Sequence, residues 1–257
     1  MAHDKLDLSA AEGDDVAGKM SFLDHLDELR KRLIWAVASI GAGFAITFPF
    51  IDRIFDFIML PMQRLLPHGQ TLIYTDPGEA LTLEIKIALI TGLLIASPLV
   101  FLQLWLFVAP GLYSHEKKWA LPFIVMSSLF FILGAAFSHY VAFPWTWKFF
   151  LGWQTEYMEF RPSIGEAFGL YVKMLLGFGL IFQMPTIVYF LSRLGLVTAG
   201  FLLRHTKYAV LIIFIIAAVI SPGTDVVSQC LMAGPMLALY GLSIVVAWFF
   251  AKPRSAE

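Results

Sequence analysis

Long apolar segments separated by short polar ones make up most of this sequence. A helix needs about 20 mostly apolar residues to cross roughly 30 Å of hydrocarbon. Six segments meet or approach that length, and they are numbered here as spans one to six: 33–50, 85–107, 119–143, 167–191, 208–220 and 226–250. Because a backbone in lipid must satisfy its own hydrogen bonds, each span is predicted to be helical. The pattern predicts an all-α, polytopic membrane protein whose six transmembrane helices form a single domain over 21–250.

The last two spans depart from this regular pattern. Span five is short, because the Ser221-Pro222-Gly223 turn ends it after about 20 Å of helix at roughly 1.5 Å per residue. So short a helix must thin the bilayer locally or lie behind its neighbours. Span six contains Pro235, which predicts a kink because proline has no backbone N–H to donate.

Four segments outside the spans complete the predicted organisation. Residues 1–20 contain charges and no apolar run, which indicates a flexible cytoplasmic tail rather than a signal peptide. Residues 21–33 place apolar and charged residues on opposite helical faces, which predicts an amphipathic cytoplasmic helix leading into span one. Residues 51–83 are expected to form a periplasmic cap, with an interfacial helix that Pro61 interrupts. Residues 251–257 are expected to form a second cytoplasmic tail.

Composition agrees with a protein that is surrounded mainly by lipid. Of 257 residues, 59% are apolar and 14% are charged, against about 45–50% and about 25% in soluble domains. The mean hydropathy is +0.76. These values exclude an ordinary soluble domain, a disordered chain and a nucleic-acid binder. Cys230 is the one cysteine, which excludes an intramolecular disulfide and a thiolate metal site.

The basic residues are divided unequally between the two sides of the membrane. With six spans both termini lie on one side, which then carries twelve lysines and arginines against four on the other. Cytoplasmic loops carry the excess of these residues, so both termini are predicted to be cytoplasmic. The twelve are Lys5, Lys19, Arg30, Lys31, Arg32, Lys117, Lys118, Arg193, Arg204, Lys207, Lys252 and Arg254. The four are Arg53, Arg64, Lys148 and Arg161.

No motif in the sequence indicates an enzyme. The glycine-rich phosphate loop, the HExxH zinc helix and the GxSxG nucleophile turn do not occur. Ser138 and His139 are adjacent, and neighbours on a helix point in different directions. We therefore expect neither a catalytic residue, nor a cofactor, nor a metal site.

Two acids on the predicted cytoplasmic side are the first candidate site residues. Glu28 lies in a basic cluster at the start of span one, four residues before Arg32. An ordinary i,i+4 helix pair, of about 0.3–0.5 kcal/mol, is one interpretation of Glu28. Glu116 lies between spans two and three beside further basic residues, and a solvated loop acid is its ordinary interpretation.

Two polar residues inside span four are the second candidate. Lys173 and Gln183 are about 15 Å apart along a helix, and an ionisable residue at depth is a functional candidate. An ion-coupled secondary transporter with a site at the bilayer midplane is therefore an alternative function. Snorkelling of Lys173 toward the outer surface is the structural alternative. The chain has no acid at that depth and no visible internal repeat, which counts against a transporter.

A polar cluster at the outer ends of spans five and six is the third candidate. Ser221, Ser228 and Gln229 fall here, where unpaired polar groups are costly in lipid. We predict that a single-span partner helix docks against them, with pairing among the three as the alternative. Asp225 is placed to cap span six, and capping is the structural interpretation of this acid.

Taken together, these segments resemble the TatC family of the twin-arginine protein translocase. The resemblance covers about residues 20–250 and keeps the order of the motifs. They are SFLDHLDELRKRL at 21–33, SP and QLW within 97–105, APGLY and HEKK within 109–118, FG and FQMP within 178–185, SP, D and SQ within 221–229, and P and LY within 235–240.

The resemblance implies a receptor rather than an enzyme. It implies binding of twin-arginine signal peptides on folded precursors, with Glu28 and Glu116 as the arginine-binding acids. The chemistry agrees, because a guanidinium fork pairs best with a carboxylate. The resemblance also implies a multi-pass protein of the bacterial inner membrane that works with the single-span subunits TatB and TatA. We further expect self-association, contact with membrane lipid and no nucleic-acid partner.

Two positions depart from the family pattern. Gln183 stands where the family often has a glutamate, so a role that needs charge there does not carry over, whereas hydrogen bonding does. Gly241 follows Tyr240 where the family often has an acid.

Overall fold

The computed structural model is helical throughout, apart from one isolated bridge among the residues it describes. It describes residues 22–66, 72–73, 78–109, 120–155, 157, 161–221, 223 and 225–250. The α-helices are α1 (Phe22–Thr47), α2 (Ile51–Leu65), α3 (Glu79–Val108), α4 (Ala120–Phe137), α5 (Phe143–Leu151), α6 (Ile164–Ile181), α7 (Met184–Arg193), α8 (Ala199–Arg204), α9 (Thr206–Ile220) and α10 (Val226–Phe250). A 3-10 turn, Phe48–Phe50, joins α1 to α2, and a π-helix, Ser138–Ala142, joins α4 to α5.

Five helical stretches in this part of the chain are long and apolar enough to cross a membrane. They are Asp24–Leu65, Leu81–Val108, Ala120–Leu151, Ile164–Arg193 and Val226–Phe250. The apolar helix Thr206–Ile220 is shorter, at 15 residues, as predicted for span five. The protein is therefore an all-helical membrane protein with five candidate spans and one shorter apolar helix.

Span one packs on span two through two glycines. A side chain on Gly43 would collide with the carbonyl of Gly92, and one on Gly92 would lie 2.5 Å from the backbone nitrogen of Phe44. The hydroxyl of Thr47 donates to the carbonyl of Ala88 at 3.0 Å in the same interface. Small residues at such a crossing let two backbones approach closely. The position of α1, which carries Glu28, is therefore set by span two.

A second close crossing joins spans three and four. A side chain on Gly134 would lie 2.5 Å from the carbonyl of Phe178. The buried core gathers around this pair of spans and includes the aromatic side chains of Phe143, Trp147 and Tyr171. The core holds these two spans together.

The N-terminal ends of α3 and α6 are tied to each other. The carboxylate of Glu79 accepts a hydrogen bond from the backbone N–H of Gly165 at 2.6 Å. A bridge between Ile73 and Ser163 lies beside it, where Ile164 donates to the carbonyl of Ile73 at 2.8 Å. Both helices thus begin at the same level of the molecule.

Span five ends well short of the level at which α3 and α6 begin. The side chain of Ile220, the last residue of α9, packs against Gly177. Gly177 lies 13 residues into α6, about 20 Å from the N-terminal end of that helix at 1.5 Å per residue. The polar turn that follows Ile220 therefore lies far from the level at which α3 and α6 begin.

Proline has different consequences at three positions. The expected interruption at Pro61 is wrong, because α2 continues through it with Met59 and Met62 buried on either side. Pro185 instead follows a turn that divides span four into α6 and α7, because proline cannot donate to the preceding turn of helix. Pro235 lies inside the continuous helix α10.

Candidate functional site

Glu28 lies at the exposed end of α1 and forms an ion pair along its own helix. The Nε of Arg32 donates to Glu28 Oε1 at 2.6 Å. The Glu28 side chain is 19% exposed and that of Arg32 23% exposed. The predicted i,i+4 pair therefore forms, and it holds a half-buried carboxylate that water and solutes still reach.

Arg32 also reaches the neighbouring helix. Its Nη1 donates to Gln103 Oε1, on α3, at 3.5 Å. One turn away, the rings of His25 and Phe107 stack with centroids 4.6 Å apart. These contacts hold the start of α1 against the end of span two, so Glu28 occupies a defined place on the bundle.

An apolar groove runs beside this ion pair. It has a volume of about 160 Å³ and lies between α1 and α3. Its apolar lining comes from Leu29, Leu33, Ala36, Val100, Leu104 and Phe107, and Arg32 and Gln103 form its polar end. The arrangement can accept a cation at the carboxylate and an apolar side chain next to it.

Glu116, the second predicted arginine-binding acid, lies outside the described residues. The helices on either side of its loop are described, and both ends lie near each other. The rings of Trp105, near the end of α3, and Phe123, near the start of α4, have centroids 5.1 Å apart. The loop that carries Glu116 therefore starts and ends at the same end of the bundle as Glu28.

The two intramembrane candidates of span four do not form one site. Lys173 is exposed on the side of α6. Gln183 is buried, and its Nε2 donates to the carbonyl of Ser127 at 3.0 Å. Gln183 thus links spans three and four by a hydrogen bond. An uncharged amide was expected to keep this capacity for hydrogen bonding.

Asp225 binds the first turn of α10. Its Oδ1 accepts from the backbone N–H of Ser228 and its Oδ2 from the Ser228 hydroxyl, both at 2.7 Å. This is the geometry of a helix N-cap. The hydroxyl and then the backbone hydrogen bond of Ser228 hold the pKa of Asp225 below its ordinary value.

The expectation of unpaired polar groups at this turn is wrong. The Ser221 hydroxyl donates to the carbonyl of Gly223 at 3.0 Å. The Gln229 Nε2 donates to the carbonyl of Phe214, on α9, at 2.8 Å. The Ser228 hydroxyl donates to the carboxylate of Asp225. The alternative of pairing among the three is also wrong, because each finds a different partner. Backbone carbonyls, which no sequence pattern displays, satisfy two of them.

One polar contact was not anticipated from the sequence. His139 lies in the π-helix, buried, with its Nδ1 3.0 Å from the Tyr171 hydroxyl. The Phe57 ring, from α2, stacks on His139 with centroids 4.5 Å apart. The contact joins α2, span three and span four, and only their packing brings the residues together. Within the described residues, no cluster of His, Cys, Asp and Glu could hold a metal ion.

Comparison with known proteins decides the family. The model of the family described as Sec-independent protein translocase protein (TatC) matches residues 24–235. The chain belongs to the TatC family. A TatC protein of Desulforapulum autotrophicum is 40% identical over 239 residues, which is 93% of this chain and 88% of that protein. A TatC protein of Koribacter versatilis is 41% identical over 239 residues, with 92% and 88% covered.

Solved structures of TatC share the fold. A crystal structure of the twin-arginine translocase receptor TatC is similar with a TM-score of 0.74 at 38% identity, covering 87% of this chain and 97% of that chain. A second crystal structure, of the same receptor in the detergent DDM, gives a TM-score of 0.76 at 37% identity, with 87% and 99% covered. The described architecture is therefore that of the TatC family.

Proposed function

We propose that this TatC-family protein is the membrane receptor of a twin-arginine translocation system. It binds the twin-arginine signal peptides of folded precursor proteins and passes them on for transport. It performs no bond chemistry of its own. Membership of a family of protein translocase components supports this role, as does the similarity to structures named as the translocase receptor.

The observation that carries the proposal is the state of Glu28. It is a half-buried carboxylate, held at one end of the bundle, and it already binds a guanidinium. Charge-assisted pairs of this kind are about twice as strong as neutral hydrogen bonds. We propose that Glu28 takes one arginine of the pair and Glu116 the other, because consecutive residues of an extended peptide point in opposite directions.

We propose that the protein crosses the bacterial inner membrane six times, with both termini in the cytoplasm. Five long helices and the short α9 together supply the six crossings. The excess of basic residues in alternate loops supports the cytoplasmic assignment. In this orientation Glu28 and Glu116 face the cytoplasm, where precursors are made.

We propose that the single-span subunits TatB and TatA dock along spans five and six, near Ser221, Ser228 and Gln229. Since these side chains have partners within the chain, the support is now shape rather than unpaired polarity. An apolar groove of about 490 Å³ lies between α6, α7, α9 and α10. It includes Gly177 and Met184, and a partner helix of apolar surface fits it without a charged residue.

An ion-coupled transporter is not favoured. Such a protein would bring its intramembrane polar groups to one cavity near the midplane. Here Lys173 faces outward while Gln183 is buried against Ser127.

The experiment is a titration of membrane vesicles with a fluorescent twin-arginine peptide. We expect Glu28→Ala and Glu116→Ala each to weaken binding by about fivefold to tenfold, since a partly exposed pair is worth up to ~1 kcal/mol and repulsion from nearby cations adds to the loss. Asp27→Ala is the matched control, because Asp27 is an exposed acid on the same helix. Inverted vesicles should bind the peptide, and right-side-out vesicles should not bind it.

Unchanged binding in both Glu28→Ala and Glu116→Ala, with normal protein levels in the membrane, would contradict the proposed site. Binding to right-side-out vesicles alone would contradict the orientation.

A further inference from the structure

We infer that Arg32 is a built-in competitor for the arginines of the signal peptide. The inference rests on the proposed function and concerns the same carboxylate. Arg32 presents to Glu28 the chemical group that the ligand would present, and its Nε lies 2.6 Å from Glu28 Oε1. Among the residues that the structure describes, no other side chain bonds to Glu28.

The competition follows from the shared oxygen. The Nη2 of Arg32 also reaches Glu28 Oε1, so two of the guanidinium's nitrogens converge on one atom. A peptide guanidinium that binds both oxygens of Glu28 in a bidentate pair must therefore displace Arg32 from Oε1. Because both side chains are partly exposed, the exchange needs a rotamer change and no unfolding.

Gln103 helps to position the competitor. Its Oε1 accepts from Arg32 Nη1 at 3.5 Å across the helix interface. The contact orients Arg32 toward Glu28 in the empty receptor, so its loss should make Arg32 a weaker competitor.

The neighbouring cations provide the contrast. Arg30 and Lys31 lie on the same helix and are exposed, and no bond joins either of them to Glu28 in the described structure. They repel a cationic peptide only through solvent, where salt screens charges beyond about 8–10 Å. Arg32 acts by occupying the site, so its removal has a different effect from the removal of an equal charge next to it.

The proposal makes a quantitative prediction for ligand choice. An internal competitor lowers the affinity for every ligand that needs Glu28 by one common factor. A partly exposed pair corresponds to a factor of roughly two to five in an equilibrium constant. We expect Arg32→Gln to bind an Arg-Arg peptide about two- to fivefold more tightly, and a Lys-Lys peptide more tightly by the same factor, leaving the ratio of the two affinities unchanged.

The experiment is isothermal titration of the full-length protein in lipid nanodiscs with both peptides, at low and at high salt. Lys31→Gln is the matched control and should tighten binding by less than about 1.5-fold, an effect that salt removes. Gln103→Leu should give a smaller gain than Arg32→Gln, and no further gain when combined with it. Size-exclusion chromatography checks that each variant is folded.

Three results would overturn the proposal. They are equal gains in Arg32→Gln and Lys31→Gln, weaker binding in Arg32→Gln, or a changed ratio between the two peptides. The proposed function fails separately, because it requires that Glu28→Ala bind the Arg-Arg peptide less tightly than the parent. If Glu28→Ala loses binding but Arg32→Gln gains none over Lys31→Gln, the receptor site stands and the competitor does not.

Discussion

Two carboxylates, Glu28 near the start of α1 and Asp225 just before α10, have partners of different kinds. Glu28 pairs with the side chain of Arg32, which also contacts a second helix. Asp225 is bonded by the backbone N–H and the hydroxyl of Ser228, three residues along its own helix. Both acids are accessible to water, and both sit before or near the start of a span.

The difference in partner determines what each acid can do. A side-chain cation can rotate away and be replaced by a ligand of the same chemistry. A backbone N–H in the first turn of a helix cannot leave without unwinding that turn. The carboxylate of Glu28 is thus exchangeable, while that of Asp225 is part of the fold, although sequence alone presents both as acids beside a helix.

The largest expected effect comes from separating spans one and two, on which the Glu28 region depends. Gly92→Ala places a methyl group 2.5 Å from the backbone nitrogen of Phe44. Overpacking of this kind costs about 1–3 kcal/mol. We expect a lower midpoint of thermal unfolding and weaker binding of the Arg-Arg peptide, because the start of α1, which carries Glu28, moves out of its place beside the end of α3.

Gly41→Ala is the control for that substitution. Nothing lies within 4 Å of a side chain at Gly41, and alanine is the better helix former by up to ~1 kcal/mol. The control should therefore be neutral or stabilising. Equal losses in both variants would show that the glycine contact does not position α1.

Local patterns predicted the parts of this protein that depend on local physics. The i,i+4 spacing of Glu28 and Arg32 predicted their ion pair, and the Ser221 turn predicted a short span five. Apolar length predicted helices that could cross a membrane, with the fifth falling short. In each case the determining residues are close together in the sequence.

The features of the fold and of the site that were not predicted depend on contacts between residues far apart in the sequence. The bond of Gln229 to the carbonyl of Phe214 satisfies an amide that the sequence left unpaired. The bond of Arg32 to Gln103, 71 residues away, makes the Glu28 region a junction of two helices. Backbone acceptors and helix neighbours carry no signature in one sequence, so their pairing could not be predicted.

A smaller loss of stability is expected from changes at Asp225. Asp225→Ala removes the acceptor for the first turn of α10 and should lower the midpoint of thermal unfolding by less than Gly92→Ala does. Asp225→Asn is the matched variant, since asparagine is also a good N-cap. Peptide affinity should be unchanged in both. A loss of affinity in Asp225→Ala without a loss of stability would mean that this acid, too, contributes to ligand binding.

The smallest effect is a pH dependence of stability that comes from Asp225. Hydrogen bonds from Ser228 hold the pKa of Asp225 below its ordinary value of 3.8 in the folded protein. A carboxyl whose pKa is lower when folded stabilises the fold above the ordinary pKa, and this stabilisation is lost as pH falls toward the lowered one. Thermal unfolding of the parent should therefore become easier on acidification below about pH 4, by more than in Asp225→Asn, which cannot titrate there. If Asp225→Asn loses as much stability as the parent over that range, other carboxyls account for the acid sensitivity and the cap is not its source.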